Sequence, residues 1–116
     1  MNLKKFDVLL VDFGNDVIGS EQGGKRPAVV IQNDAGNLHS STTIVLPLTT
    51  QQKKSHQPTH TLIKKNVDNG LMSDSIVLAE CIRQISKKRI KKYLGTINSV
   101  NEQSAIRSAY IANLGE

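Results

Sequence analysis

The 116-residue chain has one cysteine, three prolines, no tryptophan, and only two phenylalanines and two tyrosines. Cys81 has no partner for an internal disulfide, so a reducing compartment is expected. Aromatics at 3% are too few for the ring platforms that grip single strands by stacking. A nucleic acid bound here would be held by cations, hydroxyls and backbone groups. No apolar run approaches the roughly 18 residues of a membrane-spanning helix, so no membrane association is expected. Lys4-Lys5 near the start is followed only by Val8–Val11, interrupted by Asp12, which is not a secretory signal pattern. The expected location is therefore cytoplasmic.

Metal-ligand patterns are also missing. His56 and His60 are four apart, but Pro58 between them breaks the helix that would bring them together. His39 sits in turn-like sequence and is expected to be exposed. Cys81 lacks any local activating pattern and reads as a small buried apolar residue. No metal and no other cofactor is expected.

What the chain has is positive charge. The net charge of +5 favours a polyanionic partner (RNA, DNA or an acidic protein tail), the alternative being an ordinary basic protein. The length suits a single domain over residues 1–116, with enough chain to bury about two-thirds of its unfolded surface.

Short β-prone runs dominate. Lys4–Asp12, Pro27–Ile31, Thr42–Leu48, Thr59–Ile63 and Ser75–Ala79 read as strands, with Cys81–Ile85 continuing the sheet and Tyr93–Ile97 as a short closing strand. Pro47 suggests an edge or a bulge in the third of these. Asn33–Asn37 carries turn chemistry, and Ser86–Lys92 holds room for one helical turn. Ser99 with Glu102 three residues on forms a capping-box pattern. It opens a helix with Val100, Ile106, Tyr110, Ile111 and Leu114 on one side, ended by Gly115. The expected fold is mainly β, a small barrel with a C-terminal α-helix packed on it.

The densest polar chemistry lies between the first two strands, in Gly19-Ser20-Glu21-Gln22-Gly23-Gly24-Lys25-Arg26-Pro27. Glycines let backbone N–H groups approach a phosphate without a Cβ in the way. Arg26 offers a planar, permanently charged fork that matches a phosphate. Glu21 can accept a proton. A carboxylate beside such a cation is a minimal apparatus for cleaving RNA through its own 2′-hydroxyl, with no metal needed. The alternative is a solvated hairpin. The stretch lacks the Gly-Lys-Ser/Thr ending of a P-loop. Thr49 and Thr50, where the third strand meets a loop, could donate to phosphate oxygens or simply satisfy backbone. Lys25, and Gln51 with Lys53 in the loop that follows, are further candidates for holding RNA. The run Lys87, Lys88, Arg89, Lys91, Lys92 is a solvated face or a phosphate track beside the active loop.

Residues 19–34 as a block resemble the signature of the MazF/PemK toxin family. So do Thr43-Ile44-Val45-Leu46-Pro47-Leu48-Thr49-Thr50-Gln51, Gly70-Leu71-Met72-Ser73-Asp74-Ser75, and Ala79-Glu80 with Ile82-Arg83. The blocks occur in the family's order. The resemblance implies an SH3-like β-barrel with a C-terminal helix, a homodimer, and a cognate antitoxin whose acidic segment neutralises the toxin. Any DNA contact would then be made through the antitoxin. It implies a sequence-selective, metal-independent endoribonuclease acting on single-stranded RNA and leaving a 2′,3′-cyclic phosphate and a 5′-hydroxyl. By motif the catalytic arginine falls on Arg26, the catalytic threonine on Thr49 and the acidic loop residue on Glu21, with Ser20 and Gln22 lining the substrate groove. Two positions depart from the family pattern: Phe6 precedes Asp7 where Gly is frequent, and Cys81 stands where Gln is frequent. The competing function is a non-cleaving toxin of the same fold that poisons a protein such as a topoisomerase.

Overall fold

The computed structural model describes residues 2–18, 22–51 and 57–116. Among the described residues, seven strands form one antiparallel sheet: β1 (Asp7–Asp12), β2 (Lys25–Val30), β3 (Thr42–Thr49), β4 (His60–Ile63), β5 (Ser75–Leu78), β6 (Arg83–Ser86) and β7 (Ile90–Thr96). The order along the sheet is β4-β5-β3-β2-β1-β7, with β6 paired to the first half of β3. Two helices accompany it, α1 (Asp34–His39) and α2 (Val100–Ile111).

The mainly β expectation with a C-terminal helix holds, but barrel closure does not. No ladder joins β4 to β7 among the described residues. The backbone of Lys64, just past β4, is instead tied to α2, donating its N–H to the Glu102 carboxylate at 3.0 Å. Ser99 caps α2 as expected, accepting from the Glu102 N–H at 3.2 Å. The Glu102 side chain thus docks the helix on the sheet. The helix stripe also differs from expectation: Ile106 and Ala109 are buried, whereas Val100 and Leu114 are each 74% exposed. The helix docks through Ile106 and small Ala109, and Val100, Tyr110, Ile111 and Leu114 stay exposed.

Pro47 lies in the interior of the sheet, opposite Ala28 of β2. On its other side β3 changes partner, from β6 through Val45 to β5 from Leu48. The missing N–H falls in that gap, which is why a proline is tolerated there. Asn33–Asn37 makes more than a turn: the Asn33 side chain accepts from the Gly36 N–H at 2.8 Å and starts α1. His39 at its end is exposed, as expected. Ser86–Lys92 contains the expected short helical turn, Lys87–Arg89, and β7 then begins at Ile90, earlier than its sequence suggests.

Two apolar clusters face opposite sides of the sheet, as the two-residue period of a strand requires. One contains Val8, Val29, Leu46, Leu48, Ile63, Val77 and Ile106; the other contains Leu9, Val11, Phe13, Ala28, Val30, Val45 and Ile85. The central strands are therefore covered on both faces, and β2 ends in three fully buried residues, Ala28–Val30. This rigid middle holds the polar starts and ends of β2 and β3 in place.

Phe6 enters β1 at φ 73°, a left-handed conformation uncommon for a bulky side chain. Its backbone is fixed on both sides, donating to Val30 O at 2.7 Å and accepting from the Ile97 N–H at 2.9 Å. Its buried ring lies 5.3 Å from the Arg107 guanidinium and 5.5 Å from Lys5 Nζ.

Candidate active site

The β1–β2 hairpin is clamped beyond its ladder. Phe13 N donates to Gly24 O at 2.9 Å, and Gly24 N donates to Gly14 O at 2.8 Å. Gly24 adopts φ +72°, where a side chain is strained, and a Cβ on Gly23 would lie 2.9 Å from Val17 Cγ2. The glycine pair is therefore required by local geometry. Further support comes from Arg83, which stacks over the Phe13 ring at 5.3 Å and donates to its carbonyl at 3.3 Å.

This clamp starts β2 at Lys25 and fixes Arg26. The Arg26 Nε donates to Gly23 O at 3.1 Å, and Nη1 donates to Gln22 Oε1. Two of the five guanidinium N–H groups thus orient the plane, and the fork keeps donors for an anion.

Thr49 ends the neighbouring strand. The β2–β3 register pairs Ala28 with Pro47 and Val29 with Leu46. Continued two residues outward, it sets Arg26 across from Thr49, on the same face of the sheet. The Thr49 hydroxyl oxygen accepts from the Gln51 N–H at 3.2 Å. That bond occupies a lone pair and leaves the hydroxyl proton to be donated.

Arg26, Thr49 and Gln51 form a ridge between two concavities of about 290 Å³ each. One is lined further by Lys25, Pro27, Leu48, Thr50 and Ser75. The other has apolar walls from Ile76 and Leu78 and polar ones from Gln22, Gln57, His60, Glu80 and Cys81. The residues expected at the site thus converge: Arg26, Thr49 and Gln51 on the ridge, Gln22 on one side, and Lys25 and Thr50 on the other. Ser20, Glu21 and Lys53 lie outside the described residues, as does His56. Cys81 departs from expectation, being half-buried on the cavity wall and outside both apolar clusters. The short helical turn Ala79–Cys81 after β5 carries it there.

Sequence reasoning missed one pair. His60 Nε2 and Glu80 Oε2 are 2.7 Å apart, and Thr59 Oγ1 donates to Glu80 Oε1 at 3.1 Å. Partial burial pushes the Glu80 carboxyl up, but the bonds from His60, its own backbone and Thr59 outweigh it and hold the group below its ordinary value. Glu80 is therefore ionised and acceptor-only at neutral pH. His60 and Glu80 are twenty positions apart and meet only because β4 pairs with β5, with His60 opposite Leu78. No local spacing announces that.

The basic run is partly tied into the fold. Lys87 Nζ donates to Asn37 O, and Arg89 Nη1 donates to Asp12 O at 3.2 Å, close to the base of the loop. Lys88, Lys91 and Lys92 are exposed.

Comparison with known proteins agrees with this fold. The family described as PemK-like, MazF-like toxin of type II toxin-antitoxin system matches residues 4–109. Endoribonuclease MazF of Staphylococcus epidermidis is 42% identical over 113 residues, covering 97% of this chain and 92% of that protein. The crystal structure of MazF from Deinococcus radiodurans has the same fold, with a TM-score of 0.80 at 22% identity, covering 100% of this chain and 99% of the other. A mycobacterial endoribonuclease in complex with its cognate antitoxin gives a TM-score of 0.77 at 24% identity, covering 97% and 95%. With the match running through almost every element described above, from β1 into α2, the chain belongs to the PemK-like, MazF-like toxins of type II toxin-antitoxin systems.

Proposed function

We propose that the chain, acting as one unit over residues 1–116, is a sequence-selective endoribonuclease. It cuts single-stranded RNA by attack of a 2′-hydroxyl on the adjacent phosphorus, leaving a 2′,3′-cyclic phosphate and a 5′-hydroxyl. The observation that carries this reading is the ridge on which Arg26 and Thr49 together border both cavities. A phosphate seated there meets a fixed guanidinium and a hydroxyl donor, and RNA on either side of it has a cavity to enter.

In the reaction a bond forms from O2′ to phosphorus and the bond from phosphorus to O5′ breaks. Arg26 stabilises the charge that builds on the pentavalent phosphorus and is the candidate proton donor to the departing 5′-oxygen. Thr49 orients the phosphate. Glu21 takes the 2′-hydroxyl proton. Ser20, Gln22, Lys25, Thr50, Gln51 and Lys53 hold the RNA strand. The nucleophile belongs to the substrate, so the chemistry proceeds without a metal-bound water.

The proposal includes a homodimer in the cytoplasm, and an antitoxin whose acidic segment occupies the basic groove and folds as it binds. DNA would be reached only through that antitoxin. The net charge of +5 suits both polyanions.

The test is incubation with a long mixed-sequence RNA in EDTA, with the ends of the products mapped. Discrete fragments with 5′-hydroxyl ends are expected. Intact RNA from a protein that still arrests growth would overturn the nuclease reading in favour of a toxin that binds a protein target.

A further inference from the structure

We infer that the cavity on the Glu80 side of the ridge is a nucleobase subsite in which Glu80 selects a base bearing an exocyclic amino group and rejects uracil. The inference rests on the endoribonuclease reading. It assigns a determinant of sequence choice to a residue outside the predicted catalytic set.

The argument begins with the shape of the cavity. It borders Arg26 and Thr49, so a nucleotide whose phosphate sits on the ridge can place its base there. Ile76 and Leu78 supply apolar surface that suits the face of a base. The volume of about 290 Å³ is at the small end of ligand sites, which are roughly 300–1,000 Å³, and so fits one base better than a helix or a stacked run.

Next comes the chemistry of the wall. The Glu80 carboxylate is held at both ends, by Thr59 on Oε1 and by His60 on Oε2. A carboxylate has about four lone-pair sites, so each oxygen keeps acceptor capacity after these bonds. Both partners come from consecutive residues at the entry to β4, Thr59 and His60, and grip one oxygen each, which makes it a pre-oriented acceptor. The Glu80 side chain is 37% exposed, so its partial burial is a weak opposing effect. Here the hydrogen bonds keep it charged.

A fixed anionic acceptor distinguishes bases by their donors. The amino groups of cytosine, adenine and guanine donate to it, as carboxylates accept from the cytosine amino group in duplex readout. Uracil offers two carbonyl oxygens around a single N–H, and those oxygens are repelled by the carboxylate. One such polar contact is worth roughly 10–100-fold in choice of base.

The test uses the full-length protein on an RNA pool randomised around a cleavable core, with product ends sequenced. Wild type should show one position next to the cut at which uracil is depleted by about 10–100-fold relative to the preferred amino-bearing base. Glu80→Gln presents an amide that can both donate and accept, so it should raise uracil at that position and leave the other positions unchanged. Thr59→Val, which removes one of the two supports, should shift the same position in the same direction by less. The preferred base in wild type identifies which amino group is read. A folded Glu80→Gln protein with the wild-type cleavage pattern would overturn the inference while leaving the nuclease reading intact. Wild-type protein that leaves all RNA intact would overturn both.

Discussion

Arg26 and Thr49 occupy neighbouring antiparallel strands at positions set opposite by the β2–β3 register, and each borders both cavities of the site. Each is paired instead on its outer side, Arg26 with Val11 of β1 and Thr49 with Ile76 of β5. The buried halves of β2 and β3 supply the rigidity, and the polar ends carry the side chains. That separation places a charged site on strands without burying an unpaired charge.

Removal of the Thr49 hydroxyl tests its role on the ridge. Thr49→Val keeps the shape and the β-propensity while losing the donor. Cleavage should fall by about 10²–10³-fold in single-turnover rate, the usual effect of deleting one transition-state donor. Thr49→Ser should retain most of the rate. Equal rates for the Val variant and wild type would show that the hydroxyl serves only the Gln51 N–H.

Phe6 gives a prediction that reverses a common order. Alanine is normally more stable than glycine, but at φ 73° it keeps the left-handed penalty that glycine escapes. Phe6→Ala and Phe6→Gly both lose the buried ring, at a cost of about 3–5 kcal/mol. The Gly variant should be the more stable of the two by about 1 kcal/mol. Denaturant titration of both proteins decides it, and an Ala variant more stable than the Gly variant would refute the backbone account.

Glu80 links the cavity to pH. Its folded-state carboxyl lies below the ordinary value of 4.5, so its stabilising contribution is present above that value and is lost as pH falls through the folded one. The stability that Glu80 ionisation gives wild type over Glu80→Gln should therefore shrink as pH falls below about 4.5. Side-chain exposure of 37% keeps the effect small. A difference that stays flat down to pH 3 would contradict the His60 and Thr59 bonds.

Much of this was legible in the sequence because it is local. Runs such as Ala28–Ile31 read as strands, and Ser99 marks the start of α2 because its capping bond spans only three residues. Arg26 and Thr49 stand out through the motifs that carry them, and their proximity follows from one strand pairing. What escaped was long-range. Pro47 reads as an edge signal until β3 is seen to change partners beside it. Val100 and Leu114 share the apolar side of α2 yet stay exposed, since the helix buries little beyond Ile106 and Ala109. The helical start at Asn33 was hidden because the same residue types serve turns and caps. The His60–Glu80 pair depends on the register of β4 against β5, which no nearby residue encodes.

The most direct measurement is the single-turnover rate of Arg26→Ala on a mapped RNA site in EDTA, beside wild type and with folding confirmed by circular dichroism. The side chain projects from the start of β2 and is not in either apolar cluster, so the fold should persist. The account predicts a rate lower by at least about 10²–10³-fold, with wild type leaving 5′-hydroxyl ends at the same site. A folded Arg26→Ala protein that cuts at the wild-type rate would contradict it.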